Sequence, residues 1–475
     1  MAITSIVRPK VTTPAFNPIN WWVDSTNKNE TGFKYIVDVY DSASNKIAEY
    51  RVAPRIDDGY GMIDLSKLLQ SQVTRDLNLS NTTYYDAVNS YYEYAVHFGE
   101  EYNASYAYTG FTNSSGYVQL TGFAAGTIPF VVGDQIDLTE GTATNPLLDG
   151  LHTVIAVDAP SGTLTIDVLY ANLVSPVSTA GEVIYADNRK SITRDLLIRA
   201  NNYVFNGVIK WINFASYNDN EFYLDGNRKR FLTNMPDNFY VRERSYAFFN
   251  YMPQVAVTRR MLFANDNGDT FYKDVTPSSG EWVNGSSVGP NNLGTLTLVS
   301  GTAPLIKSDT EWYDVTYADS TNIAKSETKR FYIDRTCEIE DFEILFMDRL
   351  GSWLPFSFTL KAFENGSIDK SEYNQNNIGY ASGTDWTYNS TDRGMTVLSV
   401  DVSKSFTLNT NWMTLEMNQY FEELLTSVET YILIDAAYQA CIIKETSFET
   451  VRQRGRKLIR KTITVELANK DSVNG

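Results

Sequence analysis

The sequence predicts a mainly β protein, built as multidomain antiparallel β-sandwiches with an inserted small β-barrel and a C-terminal α+β element. Apolar and polar residues alternate in short segments, which is the periodicity of strands that bury one face. Clusters of Gly, Pro, Asn and Asp separate these segments, as in sandwiches and barrels. Because 475 residues exceed what one hydrophobic core normally serves, we expect about two to four domains.

The first predicted domain is a discontinuous N-terminal β-sandwich made of residues 1–117 and 188–253. Phe33–Val39 alternates apolar and polar side chains and leads through a polar loop into a second strand, which predicts a hairpin. Tyr92–Phe98 alternates in the same way, which places His97 on the face opposite the apolar side chains.

Residues 118–187 form the predicted inserted barrel. Its five predicted strands are Phe130–Val132, Gln135–Leu138, Thr153–Val157, Leu164–Val168 and Gly181–Tyr185. Turn residues punctuate them, and after the polar run 187–190 the sequence returns to its earlier pattern. Insertion at an exposed loop tip leaves the host core intact, so a small barrel within the sandwich accounts for this segment.

Residues 254–475 form the predicted C-terminal β-rich domain. The polar stretch Asn365–Gly394 is expected to be an exposed arm or loop. One helix is expected near 412–426, capped by Asn411 or Thr414. Its predicted apolar face consists of Met413, Met417, Tyr420, Phe421 and Leu424.

Histidine and cysteine are too rare for most catalytic or metal chemistry. The two histidines, His97 and His152, and the two cysteines, Cys337 and Cys441, show no metal-ligand or Cys/His nucleophile spacing. Cys441 lies in an apolar run, where a buried free thiol is favoured. The sequence therefore predicts no catalytic residue, no metal site and no cofactor. The 31 Tyr, 24 Phe and 8 Trp instead suit contact surfaces.

Two weaker patterns favour ordinary structure over a site. Paired acids such as Glu422-Glu423 are numerous, but nothing singles out the two carboxylates, roughly 5–10 Å apart, that a glycosidase needs. Asn265–Thr270 has oxygen ligands around a glycine but lacks the ligand spacing of a calcium loop, so a turn is favoured.

One basic cluster interrupts an otherwise acidic chain. The net charge of −17 and the pI of about 4.7 argue against a general nucleic-acid binder. Six cations nevertheless surround Gly455: Arg452, Arg454, Arg456, Lys457, Arg460 and Lys461. They are candidates for contact with DNA in a lumen or with an acidic patch on a neighbouring subunit, and a solvated hairpin tip is equally open.

The sequence contains no signal for a membrane. Met1–Asn20 has no apolar core of a secretory signal, and no run of about 18 apolar residues occurs. We therefore expect synthesis in a reducing cytoplasm and no membrane insertion by this chain.

Several segments together carry a family resemblance. They are Arg330–Ile333, Phe342–Phe356, Leu408–Trp412, Leu424–Val428 and Thr462–Asn469, with the opening segments Pro14–Ile19 and Asp24–Lys28. This combination resembles virion proteins of tailed phages that infect Bacteroidota, the crAss-like phages above all, where similar chains form rings of the tail or head–tail region. The resemblance as a whole covers about half of the chain, and no residue with a chemical role anchors it.

The resemblance implies a non-enzymatic structural protein of the virion tail, made in the cytoplasm of the bacterial host. It would form a homo-oligomeric ring of on the order of six or twelve copies in a tail or head–tail connector. Such a ring would serve as a DNA conduit, with non-specific contact to the DNA, and as a platform for other tail or portal-proximal proteins. The alternative from a different class is a receptor-binding, carbohydrate-binding or glycan-depolymerising tail component.

Overall fold

A computed structural model describes residues 3–103, 105–124, 126, 128–140, 147–173, 179–185, 191–226, 229–253, 257–276, 283–336, 342–375, 379–445 and 458–474. These residues form several antiparallel sheets and few helices, so the predicted mainly β, multidomain fold is confirmed.

The strands of the N-terminal part are β1 Ile3–Val7, β2 Thr12–Pro14, β3 Asn20–Ser25, β4 Lys34–Asp41, β5 Lys46–Val52, β6 Gly61–Asp64, β7 Tyr84–Asp86, β8 Tyr91–Tyr102, β9 Tyr106–Tyr108, β10 Gly110–Ser114, β11 Tyr117–Thr121, β12 Gln135–Glu140, β13 Gly150–Asp158, β14 Thr163–Leu169, β15 Gly181–Tyr185 and β16 Ser191–Phe205.

The remaining strands are β17 Asn238–Val241, β18 Phe248–Tyr251, β19 Arg259–Asn265, β20 Thr270–Val275, β21 Asn284–Ser287, β22 Thr297–Ser300, β23 Trp312–Ala318, β24 Ala324–Ile333, β25 Phe342–Met347, β26 Trp353–Phe358, β27 Phe363–Asn374, β28 Tyr380–Ser382, β29 Asp385–Thr387, β30 Met395–Asn409, β31 Thr430–Ile434, β32 Ala437–Ile443, β33 Thr462–Leu467 and β34 Asp471–Asn474. The α-helices are α1 Ser66–Gln70, α2 Trp211–Phe214 and α3 Leu415–Leu425, and 3₁₀ turns cover Tyr170–Asn172, Asp219–Glu221 and Pro290–Asn292.

The chain forms two compact units, each discontinuous in sequence. Unit one contains residues 1–11, 18–67 and 93–203, and unit two contains residues 12–17, 68–92 and 204–475. Residues 204–253 therefore group with the C-terminal part of the chain. The predicted domain boundaries stay a prediction.

Unit one contains the predicted sandwich strands. β1, β3 and β6 form one sheet, and β16, β8, β4 and β5 lie in that order in another. Tyr94, Val96 and Phe98 are buried on one face of β8, so the predicted alternation of this strand is confirmed. Trp21 packs against Phe98 with ring centroids 5.8 Å apart.

The inserted element is a seven-stranded sheet in the order β10-β11-β14-β13-β12-β15-β9. It has its own apolar core, which includes Tyr108, Phe111, Ile136 and Val183. The strands begin at Tyr106, before the predicted start of the barrel at residue 118, because β9 and β10 pair with β15 and β11 of the same sheet.

One predicted strand of the insert is wrong. Phe130–Val132 is irregular, although Phe130 is buried as an apolar anchor. The Asp134 carboxylate accepts the Val131 N–H at 2.8 Å, and the Asp134 N–H donates to the Val131 carbonyl at 3.1 Å. This turn uses the backbone groups that a strand would give to a neighbour.

Unit two contains a six-stranded sheet in the order β17-β24-β23-β19-β20-β22 and a larger sheet in the order β27-β30-β33-β32-β31-β25-β26-β18-β21-β7. One apolar core serves both sheets and α3, and contains Phe263, Phe331, Phe346 and Phe421.

Helix α3 confirms the predicted helix and selects one of its two predicted caps. The Thr414 hydroxyl accepts the Met417 N–H at 3.2 Å, which satisfies one free donor of the first turn. Tyr420, Phe421 and Leu424 are buried as predicted, but so is the carboxylate residue Glu423. In the part of the chain that the structure describes, no helix is long and apolar enough to cross a membrane.

Candidate assembly interface

The structure describes only part of the basic cluster. Arg452, Arg454, Arg456 and Lys457 lie outside the described residues. Arg460 is exposed and Lys461 is half-buried, directly before β33. The Lys461 N–H donates to the Thr410 hydroxyl and its carbonyl accepts the Thr410 N–H, both at 2.9 Å, so the backbone here is fixed beside the end of β30.

A long two-stranded ribbon projects from the larger sheet of unit two. β27 and β30 pair from Phe363↔Thr407 to Asn374↔Met395, and all 12 residues of β27 are exposed. We call residues 363–409 the arm. The sequence predicted this region as an exposed arm or loop, and the structure shows a hairpin with regular register.

The two faces of the arm differ in chemistry. Ile368, Val400 and Val402 lie together on one face, where the Ile368 side chain is 61% exposed and both valines are half-buried; Lys370, paired with Val400, borders this apolar stripe. The opposite face carries hydroxyl and carboxylate residues, including the facing pair Asp369↔Asp401. An exposed apolar stripe beside a polar face is the pattern of a surface that another chain covers.

The tip of the arm adds exposed aromatic side chains. β28 and β29 form a small hairpin, and the rings of Trp386 and Tyr388 lie 5.4 Å apart with exposed fractions of 66% and 59%. Aromatic residues are enriched at protein interfaces because each one buries a large area at low conformational cost.

The outer edge of β27 is an open sheet edge. β27 is the terminal strand of its sheet, so among the described residues only β30 pairs with it. An exposed edge offers a row of backbone donors and acceptors to a strand of another chain. The acidic and basic residues along β27 limit indiscriminate pairing.

Charge distinguishes the arm from the basic cluster. Residues 363–409 contain six acidic and three basic residues, a net charge of −3, whereas residues 452–461 contain six basic residues and no acidic one. Surfaces of opposite sign steer association and fix its register. The arm of one copy and the basic cluster of another are therefore complementary in charge.

The structure gives both histidines carboxylate neighbours that the sequence did not indicate. His97 Nδ1 lies 2.7 Å from Asp195 Oδ1, and His152 Nδ1 lies 3.5 Å from Asp167 Oδ1. Each pair joins residues on different strands, so no local spacing could reveal it. Neither histidine has a hydroxyl or thiol nucleophile within hydrogen-bonding distance in the described part of the chain.

The remaining sequence candidates have structural roles. Cys441 is a buried thiol, as expected, and burial raises its pKa to about 11. Cys337 lies outside the described residues. Asn265–Asp269 is the turn between β19 and β20, where the Lys307 ammonium lies 2.5 Å from the Asp269 carboxylate and lowers its pKa to about 2. Among the described residues no cluster of three or more His, Cys, Asp or Glu could hold a metal ion.

Comparison with known proteins leaves the family open. No family model and no curated protein matches this sequence. A solved structure, the crystal structure of trypsin activated alpha-2-macroglobulin from Escherichia coli, aligns with 98% of this chain and 36% of that chain, at 8% identity and a TM-score of 0.14. The chain thus spans little more than a third of that protein, and the TM-score is too low to indicate a shared fold.

Proposed function

We propose that this chain is a non-enzymatic structural subunit of a phage virion that assembles with copies of itself into a ring of the tail or head–tail connector. The observation that carries the proposal is the arm, with its exposed apolar stripe, aromatic tip and open edge. The resemblance to ring proteins of crAss-like phages supports the same conclusion. In the virion the ring would serve as a conduit for DNA and as a platform for neighbouring tail proteins.

The arm supports association because an isolated two-stranded ribbon is only marginally stable in water. β34 extends it on one side by pairing with β30 from Ser399↔Asn474 to Val402↔Asp471, but the edge of β27 and the tip remain exposed. A partner chain would cover the apolar stripe around Ile368 and stabilise the ribbon by burying that area.

A second copy of this chain is the partner that charge favours. The acidic arm and the basic cluster 452–461 occupy different parts of the sequence, so their contact between copies is head-to-tail. Contacts between two different patches generate rings when the rotation closes. Contact between the acidic arm of one copy and the basic cluster of the next would offset the mutual repulsion of copies that each carry a net charge of −17.

The test shortens the arm without disturbing its base. An Asn-Gly turn replaces Tyr373–Thr396, so that Glu372 and Val397, which are directly paired, flank the new hairpin turn. This deletion retains the strand that β34 pairs with. We expect the full-length protein to form closed rings in electron micrographs at high concentration. The shortened protein keeps the Ile368 stripe and the Asp369↔Asp401 pair but loses the aromatic tip, so it should need a higher concentration to associate in analytical ultracentrifugation, with unchanged thermal unfolding.

Two outcomes would contradict the proposal. One is a shortened protein that forms the same rings as the full-length protein at the same concentration. The other is a virion reconstruction in which this chain occupies no rotationally symmetric density.

A further inference from the structure

Unit two contains a polar cavity that is lined by residues outside the arm. Its volume is about 400 Å³, within the range of roughly 300–1,000 Å³ that is typical of small-ligand sites. The segment that contains α2 forms one wall, and α3 forms another. The lining residues that matter below are Lys210, Asn213, Tyr217, Phe222, Gln419 and Tyr420, together with the carboxylate residue Glu423.

The Glu423 carboxylate is fixed in the wall of this cavity. It is 3% exposed, and one oxygen accepts hydrogen bonds from Asn234 Nδ2 at 3.1 Å and from the Arg349 N–H at 3.3 Å. The Lys210 ammonium lies 3.6 Å from the other oxygen. Paired and hydrogen-bonded in this way, the carboxylate holds its position without a ligand, which is the preorganisation that a binding site needs.

Tyr420 is a buried wall residue of the cavity. Its side chain is 2% exposed, it lines the cavity, and its hydroxyl has no hydrogen-bond partner among the described residues. Burial and the nearby carboxylates of Asp348 and Glu423 raise the pKa of Tyr420, so the hydroxyl keeps its proton. Almost no surface of this hydroxyl is accessible, and the Tyr420 ring packs against Phe239 and Phe346 with centroids 5.2 and 5.3 Å apart, so the residue closes the wall of the cavity and leaves ligand contact to the exposed rim.

The rim of the cavity presents free polar groups. The side chains of Asn213, Glu416 and Gln419 line it, are exposed, and make no hydrogen bond or ion pair within the described part of the chain. Amide groups both donate and accept, whereas the carboxylate accepts only. These rim groups therefore suit a ligand with several groups that each donate and accept hydrogen bonds.

A row of aromatic rings leads from the cavity to the surface. Trp211 stacks on Phe214 with centroids 6.3 Å apart, Phe214 stacks on Tyr217 at 6.1 Å, and Tyr217 contacts Phe222 at 6.1 Å. Tyr217 and Phe222 line the cavity, and Trp211 at the other end is 74% exposed. Such a large exposed indole on a four-residue helix offers a flat apolar face to a ligand.

We propose that this cavity and the exposed Trp211 beside it bind a neutral oligosaccharide, with sugar hydroxyl groups held by Asn213 and Gln419 in the cavity and a further sugar unit stacked on the free face of Trp211. Sugar hydroxyls donate and accept hydrogen bonds, and the C–H faces of sugar rings pack on aromatic rings. Lys210 and Arg230 are balanced in the lining by Glu221, Glu416 and Glu423, so a strongly anionic ligand would meet carboxylates on several sides. This inference goes beyond ring assembly and does not depend on it.

The test presents the labelled full-length protein to an array of immobilised neutral hexose and N-acetylhexosamine oligosaccharides beside sialylated ones. An oligosaccharide that is retained is then titrated by calorimetry. We expect retention on neutral glycans, and a dissociation constant raised about tenfold or more by Trp211→Ala and by Gln419→Ala. Ser216→Trp, which places a bulky ring at another lining position, should abolish binding.

The matched control is Trp386→Ala, which removes an exposed tryptophan of the arm and should leave the sugar affinity unchanged. All variants are compared by thermal unfolding, so that loss of fold is separated from loss of binding. The proposal is overturned if the protein retains only sialylated glycans or no glycan at all. It is also overturned if the Trp211, Gln419 and Ser216 variants bind the oligosaccharide with the same affinity as the wild type. Because ring formation is measured separately, failure here leaves the assembly proposal standing.

Discussion

Asp369 and Asp401 lie directly opposite each other across the two strands of the arm. Side chains at such positions have Cβ atoms about 5 Å apart, and like charges there destabilise the strand pair. The Ser472 hydroxyl donates to Asp401 at 2.5 Å, and Asp369 is exposed. A basic side chain from another copy would relieve this repulsion, so the facing pair favours the arm as a site for the basic cluster.

Asp369→Asn separates the stability of the arm from its association. The change removes the repulsion, so we expect the free energy of unfolding of the monomer to rise by about 0.5 kcal/mol in urea. Association should weaken, because the partner cation loses its carboxylate. Glu30→Gln is the control, since it removes the same charge from an exposed residue outside the arm. Equal dissociation constants for the two variants by mass photometry would show that the facing pair has no role.

Charge reversal of the basic cluster should act on assembly and hardly on folding. We expect Arg452, Arg454 and Arg456 changed together to Glu to weaken association and to steepen its dependence on salt. Truncating one or two of these cations should change the free energy of unfolding of the monomer by only about 0–1 kcal/mol each.

The control for this reversal changes three exposed cations elsewhere, Arg8, Lys67 and Lys470, to Glu. It gives the same change in net charge without touching the cluster. Rings that form equally well in both triple variants across a range of ionic strength would mean that the basic cluster is merely solvated.

Local patterns predicted the strands, the helix and the exposed arm, because each depends on residues close in sequence. Thr414 and the apolar face of α3 follow from helical periodicity alone. The same periodicity could have found Glu423, which lies three residues after the buried Tyr420, but its adjacency to Glu422 suggested a solvated pair.

The other elements of both sites depend on contacts between distant segments. Arg349 and Asn234 reach Glu423 from elsewhere in the chain, and the register that places Asp369 against Asp401 is set by a hairpin with a bulge between Ser371 and Glu372. A shift of one residue would have put different side chains opposite each other, and no sequence pattern decides between the two registers.

Excision of the inserted sheet should succeed only at the boundaries that the strand pairing sets. Replacing Tyr106–Tyr185 with a short Gly/Ser linker removes all seven strands and their core, so we expect unit one to stay soluble and to unfold cooperatively. Removing only 118–185 leaves β9 and β10 with most of their partners gone and exposes Tyr108 and Phe111, which are 1% and 2% exposed. That variant should aggregate. If the two deletion variants show the same solubility and the same unfolding transition, β9 and β10 do not belong to the inserted sheet.

The hairpin between β31 and β32 contains a strained alanine. Asp435 and Ala436 have φ angles of 48° and 63°, in the left-handed region that a Cβ atom disfavours. Ala436→Gly should therefore raise the free energy of unfolding by about 1 kcal/mol in urea. The neighbouring Ala437→Gly, in β32, should lower it by about 0.5–1 kcal/mol, because glycine weakens a strand. A stabilisation by both changes, or by neither, would argue against this turn geometry.

Lys273 makes the stability of unit two depend on pH. Its side chain is 5% exposed, its ammonium group donates to the Ser287 hydroxyl at 2.7 Å, and burial lowers its pKa from 10.5 to about 7. Between about pH 7 and pH 10.5 the unfolded chain therefore binds a proton that the folded chain lacks. The free energy of unfolding should rise with pH in this window, by up to about 1.4 kcal/mol per unit, and should be lowest once Lys273 is charged below pH 7.

Lys273→Met keeps the length of the side chain and removes its charge. We expect the variant to be at least as stable as the wild type at pH 7, since a buried charge without a carboxylate partner is costly. The advantage of the variant should shrink as pH rises to 9, because the wild-type lysine is then neutral in the fold. Urea unfolding at pH 6, 7, 8 and 9 measures this difference, and Lys67→Met, at an exposed lysine, should show none. Parallel pH profiles for the wild type and Lys273→Met would mean that Lys273 keeps an ordinary pKa in the folded protein.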